Sequence, residues 1–570
     1  MFNSKQKQLF ATGNEKATSV TNSFVKAGLK ETAKTTSLGN GAVKYTTTNN
    51  DFVDDFGKIT NYKAPRSYQE IDTTMRLLSS QDLGKTLSLL FYIRMITRNV
   101  MLFDGTKTET VQRGQGLKHE GIFRMMWMQL NHNEVFWNNI GLFISVGSWK
   151  DIITMLSYDL QYNGWNDRKL DWNNFGKLLL AGLENPNTSE LIKKYLPQIK
   201  SNKSCTTLES QADNMIAKWI CSLIFGGKTE DNDYRNYRSY RKLKSAGTAH
   251  QWQQLISQGK LKEIDFNTVH GRALAQLVSG KFLANNGLEE VYDKWIESKP
   301  IAKYTGYVYE LLAPIIGIGT RCNISNVKPY QINTINAQFM GLVELAKKDM
   351  SETDSGMLVV LDTSGSMTST VPGTKISSFT VGKSMALYFS YLLKGAFQDV
   401  WMEFSNKAEM RKWKGKTPVE RLVNETSSII AGTNFQSVGD EFIKLLHQGV
   451  PQSDFPKGII CISDGCFNHS GRNKTETKNL KQNLLNAGFS KEYVDNFKIV
   501  LWDMPNGFYG KSQTAFEDFA DTPNLYHMSG LDGSAIAFLT GTKQQISIPK
   551  NSEELFEAAM NQQILNMLQV

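Results

Sequence analysis

From residue 68 to about 348, large apolar residues recur at three- and four-residue spacings. RLLSSQDLGKTLSLLFYIRMITRN, HEGIFRMMWMQLNHNEVFWNNIGLFISVGSWKDIITMLSYDL and ADNMIAKWICSLIF are examples, and this period predicts amphipathic helices. Short breaks at 147–149 (GSW), 184–187 (ENPN) and 226–227 (GG) separate them. Helical runs with short connections predict stacked antiparallel helix pairs, a HEAT-like repeat region whose period is irregular. After Met350 the pattern changes to continuous apolar runs, GMLVVLD, DVWMEFS, GIICISD and KIVLWDM. These alternate with the helical stretches SSFTVGKSMALYFSYLLKGA and FQSVGDEFIKLLHQGV. Apolar strands alternating with helices predict a doubly wound α/β domain, a parallel sheet covered on both faces. SEELFEAAMNQQILNML predicts a closing amphipathic helix with Ser552 as its N-cap. The early stretch SLGNGAVKYTTTNNDF holds little that can be buried, and predicts an arm or extended segment. The expected division is therefore 1–67 arm, 68–350 helical repeats, 351–545 α/β domain and 546–570 C-terminal helix.

Composition narrows this picture. A chain of 570 residues exceeds what one core supports, and 40% hydrophobic with 21% charged residues is ordinary for a globular protein. No apolar run approaches the ~20 residues a membrane span needs. The start, MFNSKQKQLFATGNEK, has no apolar signal core. The five cysteines, Cys205, Cys221, Cys322, Cys461 and Cys466, are scattered; neither a disulfide framework nor a zinc ribbon is expected, and a cytoplasmic location fits. The formal net charge of +9 lies entirely within residues 1–350, because residues 351–570 are slightly acidic. A basic front half suits an anionic partner, or only maintains solubility.

Candidate chemistry concentrates where the predicted strands end. Ligands of a doubly wound sheet gather at the carboxyl ends of its strands. Asp362, Ser364 and Ser366 follow GMLVVLD, Asp464 follows GIICIS, and Thr433 in AGTNFQS precedes a predicted helix. Two carboxylates and three hydroxyls form a hard-oxygen donor set, suited to Mg²⁺ or Mn²⁺ rather than zinc. Gly365 is expected to let the loop turn tightly. No general base stands beside a nucleophile, so catalysis is not expected; His469 reads as a solvated loop histidine. Placed this way, Asp-x-Ser-x-Ser with Gly-Thr-Asn and Ser-Asp-Gly resembles a von Willebrand factor A domain with a metal-ion-dependent adhesion site. The resemblance implies that Asp362, Ser364, Ser366, Thr433 and Asp464 are the metal positions. It also implies an open coordination position for a carboxylate from an acidic protein partner.

The helical half carries DNDYRNYRSYRKLKSAGTAHQW, in which Tyr234, Tyr237 and Tyr240 alternate with Arg235, Arg238 and Arg241, followed by Lys242 and Lys244. A three-residue step keeps each series on one stripe of a helix. The arginines then face phosphates and the tyrosines stack on bases or pack inward. His270, Arg272 and Lys281 in FNTVHGRALAQLVSGKF are candidates for a phosphate at a helix start. Lys118, His119 and Arg124 add positive charge, whereas Met125, Met126, Trp127 and Met128 read as core.

The order of parts, a helical-repeat region before an A-type domain with a complete adhesion-site motif, resembles the Ro ribonucleoprotein (TROVE-module) family. GSWKDIITML and YRSYRKLKSAGTAHQW…EIDFNTVHGRAL are similar in placement to segments of that module. The resemblance implies a monomeric helical ring whose basic hole takes single-stranded RNA ends while structured small RNA lies outside. A different reading is a protein–protein adaptor using only the metal site. A third, a metal-dependent phosphodiesterase using Asp362 and Asp464, lacks a water-activating base.

Overall fold

The computed structural model describes residues 35–37, 43–58, 66–102, 105–227, 234–246, 251–269, 271–317, 322–351, 355–371, 374–427, 429, 432–465, 467–468, 470, 474–504, 516–542, 545 and 547–570. Helices dominate 51–347. The helix Tyr68–Gln81 shows why the period works: Tyr68, Ile71, Met75 and Leu78 are buried on one face, and Ser67 with Glu70 closes a capping box at its start. Met125, Met126, Trp127 and Met128 of the helix Lys118–Asn131 are core residues, at most 1% exposed.

Ten strands are present among the described residues. β1 (Thr35–Ser37) pairs antiparallel with β2 (Val43–Tyr45), and β3 (Ile96–Arg98) with β4 (Gln112–Gln115). The main sheet contains β5 (Met357–Asp362), β6 (Val400–Phe404), β7 (Ala408–Lys412), β8 (Gly458–Ser463), β9 (Lys498–Asp503) and β10 (Leu525–Ser529). Its order is β10-β9-β8-β5-β6-β7. Every pairing is parallel except the β6–β7 hairpin at one edge. Alternate residues serve opposite faces, as strand geometry requires. Val359, Leu361, Ile460, Ile462, Val500 and Trp502 join a core continuous with the helical half. Leu358, Val360, Ile459, Cys461 and Ile499 join a separate core under the helices Gln436–His447 and Glu476–Asn486.

The two halves interlock. The helix Ser378–Leu392 is buried almost throughout because the sheet covers one side and helices Val308–Ile316 and Pro329–Lys347 the other. Across this seam the Thr380 hydroxyl donates to the Gly317 carbonyl at 2.9 Å and the Tyr388 hydroxyl to the Leu342 carbonyl at 3.2 Å. The first and last parts of the helical run also meet. The Tyr307 hydroxyl donates to the Gln115 carbonyl at 2.8 Å, and Arg113 Nη2 to the Ala346 carbonyl at 2.8 Å.

Three expectations are corrected. The described part of 1–67 is no free arm: Tyr45 exchanges backbone hydrogen bonds with Phe516, and Phe52, Val53 and Phe56 enter the core. The helix Asp51–Lys58 rests on β10 and on the helix Ser552–Met560. The closing helix is capped by Asn551, whose side chain accepts from the Glu554 amide at 2.9 Å. Ser552 instead turns inward and accepts from the His527 amide at 2.9 Å. Lastly, 562–569 does not continue that helix but binds the front half. Gln562 Oε1 accepts from the Arg113 amide at 2.6 Å, and Asn139 and Gln569 bond reciprocally at 2.6 and 2.9 Å.

No helix among the described residues is long and apolar enough to cross a membrane.

Candidate functional site

The oxygen cluster lies at the rim where β5 and β8 end. Asp362 is the last residue of β5 and is fully buried. Its Oδ1 accepts from the Ser364 amide at 2.8 Å and its Oδ2 from the Ser463 hydroxyl at 2.5 Å. The Ser364 and Ser366 hydroxyls are 3.0 Å apart. Backbone bonds join the three loops through neighbours. Thr363 N donates to the Phe404 carbonyl at the end of β6, and Asn434 N donates to the Ser405 carbonyl. Asn468 N, after β8, donates to the Thr433 carbonyl at 2.8 Å. Thr433 and Asp464 are 4% and 9% exposed.

Gly365 is not the residue that permits this turn. It opens a short 3₁₀ turn and is not among the positive-φ residues. The left-handed backbone belongs to Gly432 (φ 101°) and Gly465 (φ 72°), which flank Thr433 and Asp464. A buried lysine steadies the approach to Thr433: Lys383 Nζ donates to the Glu425 carbonyl at 2.8 Å and to the Ser427 hydroxyl at 2.9 Å.

Burial, and then the charge of Asp464, push the Asp362 carboxyl up to about 7, against hydrogen bonds from Ser463 and Ser364. Asp503, paired in register with Ser463, is raised to about 7 by loss of water contact and by Asp464, opposed by Lys44. A hard cation would relieve this repulsion, and the donors, carboxylate and hydroxyl oxygens, fit Mg²⁺ or Mn²⁺. Among the described residues no group of three or more His, Cys, Asp or Glu could hold a metal.

Lys44 was not foreseeable from the sequence. Its Nζ lies 3.7 Å from Glu517 Oε1 and 4.8 Å from the centroid of the Phe467 ring, beside Gly465. It arrives on a three-residue strand from a polar stretch, so no local pattern marks it. Asp503 had a signal, since it ends an apolar strand as Asp362 does. Cys466 and His469 lie outside the described residues.

The basic candidates separate. Arg235, Arg238, Arg241 and Lys242 are exposed on the helix Tyr234–Ala246, whose Tyr237 and Tyr240 are buried while Tyr234 is 77% exposed. Lys244 turns back and donates to the Leu196 carbonyl at 2.5 Å. Arg124 cannot meet RNA: it is fully buried, with Nη2 2.7 Å from Asp55 Oδ2 and Nε 3.2 Å from Glu120 Oε1. Arg66 completes this network at 2.8 Å from Asp55 and 2.7 Å from Glu120. Arg272, with its side chain 47% exposed, forms a bidentate surface pair with Glu310 (2.8 Å). Lys281 is exposed but follows the end of the helix Gly271–Ser279, so it does not share that helix's start. Lys118 is 30% exposed and lies 3.7 Å from Asp151, and His119 meets the Tyr158 hydroxyl. His270 lies outside the described residues.

A site that sequence reasoning missed is a cavity of about 1160 Å³ where the beginning and end of the helical run face each other. Arg98, Lys107, Lys303 and Lys348 line it with one acid, Glu109, and with Trp149, Tyr195 and Tyr304. Arg98 is anchored there by donating to the Ser145 and Val146 carbonyls at 2.9 and 3.2 Å. No family model matches this chain, and no curated protein matches it significantly.

Proposed function

We propose that this protein binds RNA as the resemblance to the Ro family implies, with an A-type domain that holds Mg²⁺ or Mn²⁺ and a protein partner. The large cavity carries this reading: four basic side chains against one acid, with the half-buried Tyr195 at its wall, suit the phosphates of an unpaired strand. The exposed Arg235, Arg238, Arg241 and Lys242 supply a second basic surface for structured RNA. At the rim, Asp362, Ser364, Ser366, Thr433 and Asp464 would hold the metal, which would attract a partner's carboxylate. No residue is assigned to catalysis.

Phosphate neutralisation dominates such binding, so affinity for a single-stranded oligoribonucleotide falls steeply as salt rises, with a log–log slope of about −0.7 per phosphate contacted. Filter binding from low to high salt measures it. Absent or salt-insensitive binding would remove the RNA reading. The adaptor reading draws support from Arg124, whose charge is taken up by buried carboxylates. A purified protein free of nucleic acid at low salt, judged by its 260/280 nm absorbance ratio, would favour it.

A further inference from the structure

Four lysines from four separate segments converge on one recess beside the cavity. Lys150 lies in the first turn of the helix Trp149–Asn163, and Lys194 near the end of the helix Ser189–Tyr195. Lys200 follows in the next loop, and Lys244 lies in the last turn of the helix Tyr234–Ala246. They line a recess of about 290 Å³ together with Gln198, Ser210 and one carboxylate, Asp213. Its floor is fixed. The Tyr240 hydroxyl donates to the Pro197 carbonyl at 3.0 Å, Lys244 Nζ to the Leu196 carbonyl at 2.5 Å, and the Lys200 amide to Asn214 Oδ1 at 2.8 Å. Asp213 accepts from the Ser157 hydroxyl at 3.1 Å, and burial raises its pKa in spite of Lys200 and Lys150. One carboxylate thus stands against four lysines in the lining. Four lysines lining one concave wall, of which Lys244 also donates to the Leu196 carbonyl, concentrate positive potential and favour a compact, multiply charged anion.

Tyr195 lines both this recess and the large cavity, and Lys150 directly follows Trp149, a cavity residue. A strand lying in the cavity would therefore bring its end to the recess. The geometry points to a phosphomonoester site in the recess formed by Lys150, Lys194, Lys200 and Lys244, which receives the terminal phosphate of the bound nucleic-acid strand. The nucleic-acid source rests on the RNA reading above; the affinity for phosphate does not. A terminal monoester carries nearly two charges where an internal diester carries one, so four lysines discriminate between them.

The test compares the full-length protein with the Lys150→Ala/Lys200→Ala double variant. Both lysines are exposed, so the variant should keep its fold and its melting temperature in chloride. Inorganic phosphate at constant ionic strength is expected to raise the wild-type Tm more than that of the variant, which retains only the general salt effect. Equal responses would overturn the phosphate site, whatever the RNA affinity. Oligoribonucleotides differing only in a terminal phosphate supply the second arm. The phosphorylated one should bind wild type about tenfold tighter, and the variant should lose the difference. A phosphate response without that discrimination would overturn the assignment to a strand end and leave a free phosphate compound as the ligand. If neither oligonucleotide binds, the RNA reading fails and the strand end with it, and the first arm still decides the phosphate site.

Discussion

Arg124 shows how a single charge is committed by its surroundings. A guanidinium with no exposure must be paired to be tolerated, and Asp55 and Glu120 pair it, with Arg66 balancing the second negative charge. The Arg124 charge holds the Asp55 carboxyl below its usual range against the effect of burial. Arg124→Leu should cost about 3–5 kcal/mol, because two carboxylates lose a buried partner; urea unfolding monitored by tryptophan fluorescence would measure it. A loss below ~1 kcal/mol would show that Arg66 alone suffices. Sequence reasoning put Arg124 among the RNA contacts because charge is visible along a chain and burial is not. Its neighbours Met125–Met128 were read correctly as core, since their apolar character already implies burial.

At the scale of elements, the rim of the main sheet joins three loops, two of which carry the carboxylates Asp362 and Asp464 that repel. In the metal-free protein Asp362 keeps its proton up to about pH 7, whereas an ordinary aspartate gives it up near 3.8. The folded state thus binds more protons in that window, so stability falls as pH rises from about 4 to about 7 and stays lower above it. A cation bound at the rim as proposed would take the place of the proton. The rise in Tm on adding Mg²⁺ is therefore expected to be small at pH 5.5 and large at pH 8, by differential scanning fluorimetry. An equal rise at both values would mean that the ion binds elsewhere. The strands that build this rim were legible because each is a continuous apolar run, and a run buried on both faces needs no distant information to be recognised. The β3–β4 hairpin inside the helical run was not legible: its strands are short and polar (ITR and QRGQ), and β4 is buried by contacts far along the chain.

Across the whole molecule the two halves are chemically distinct and mechanically joined. The proposed RNA surfaces lie in the front half, and the oxygen cluster lies in the back half on the sheet. Asp362→Ala should therefore abolish the Mg²⁺-dependent rise in Tm while leaving RNA affinity within about twofold, since surface and rim are separate sites whose effects add. Joint loss of both would show that the rim and the cavity act as one unit, coupled through the helix Ser378–Leu392 that both halves bury.

The sequence by itself determined the helical front and the alternation of apolar strands with helices behind it, and it named oxygen-bearing residues at the strand ends as candidates; the antiparallel β6–β7 edge of the mixed sheet came only with the structure. Periodicity and strand-end chemistry are local properties, expressed within a few residues. Only the tertiary structure decided which charges are free to act. It brought Lys44 to the rim, gave Arg124 to Asp55 and Arg272 to Glu310, and assembled four lysines around one recess. Each of these depends on segments tens to hundreds of residues apart, where burial and pairing follow from how the elements pack.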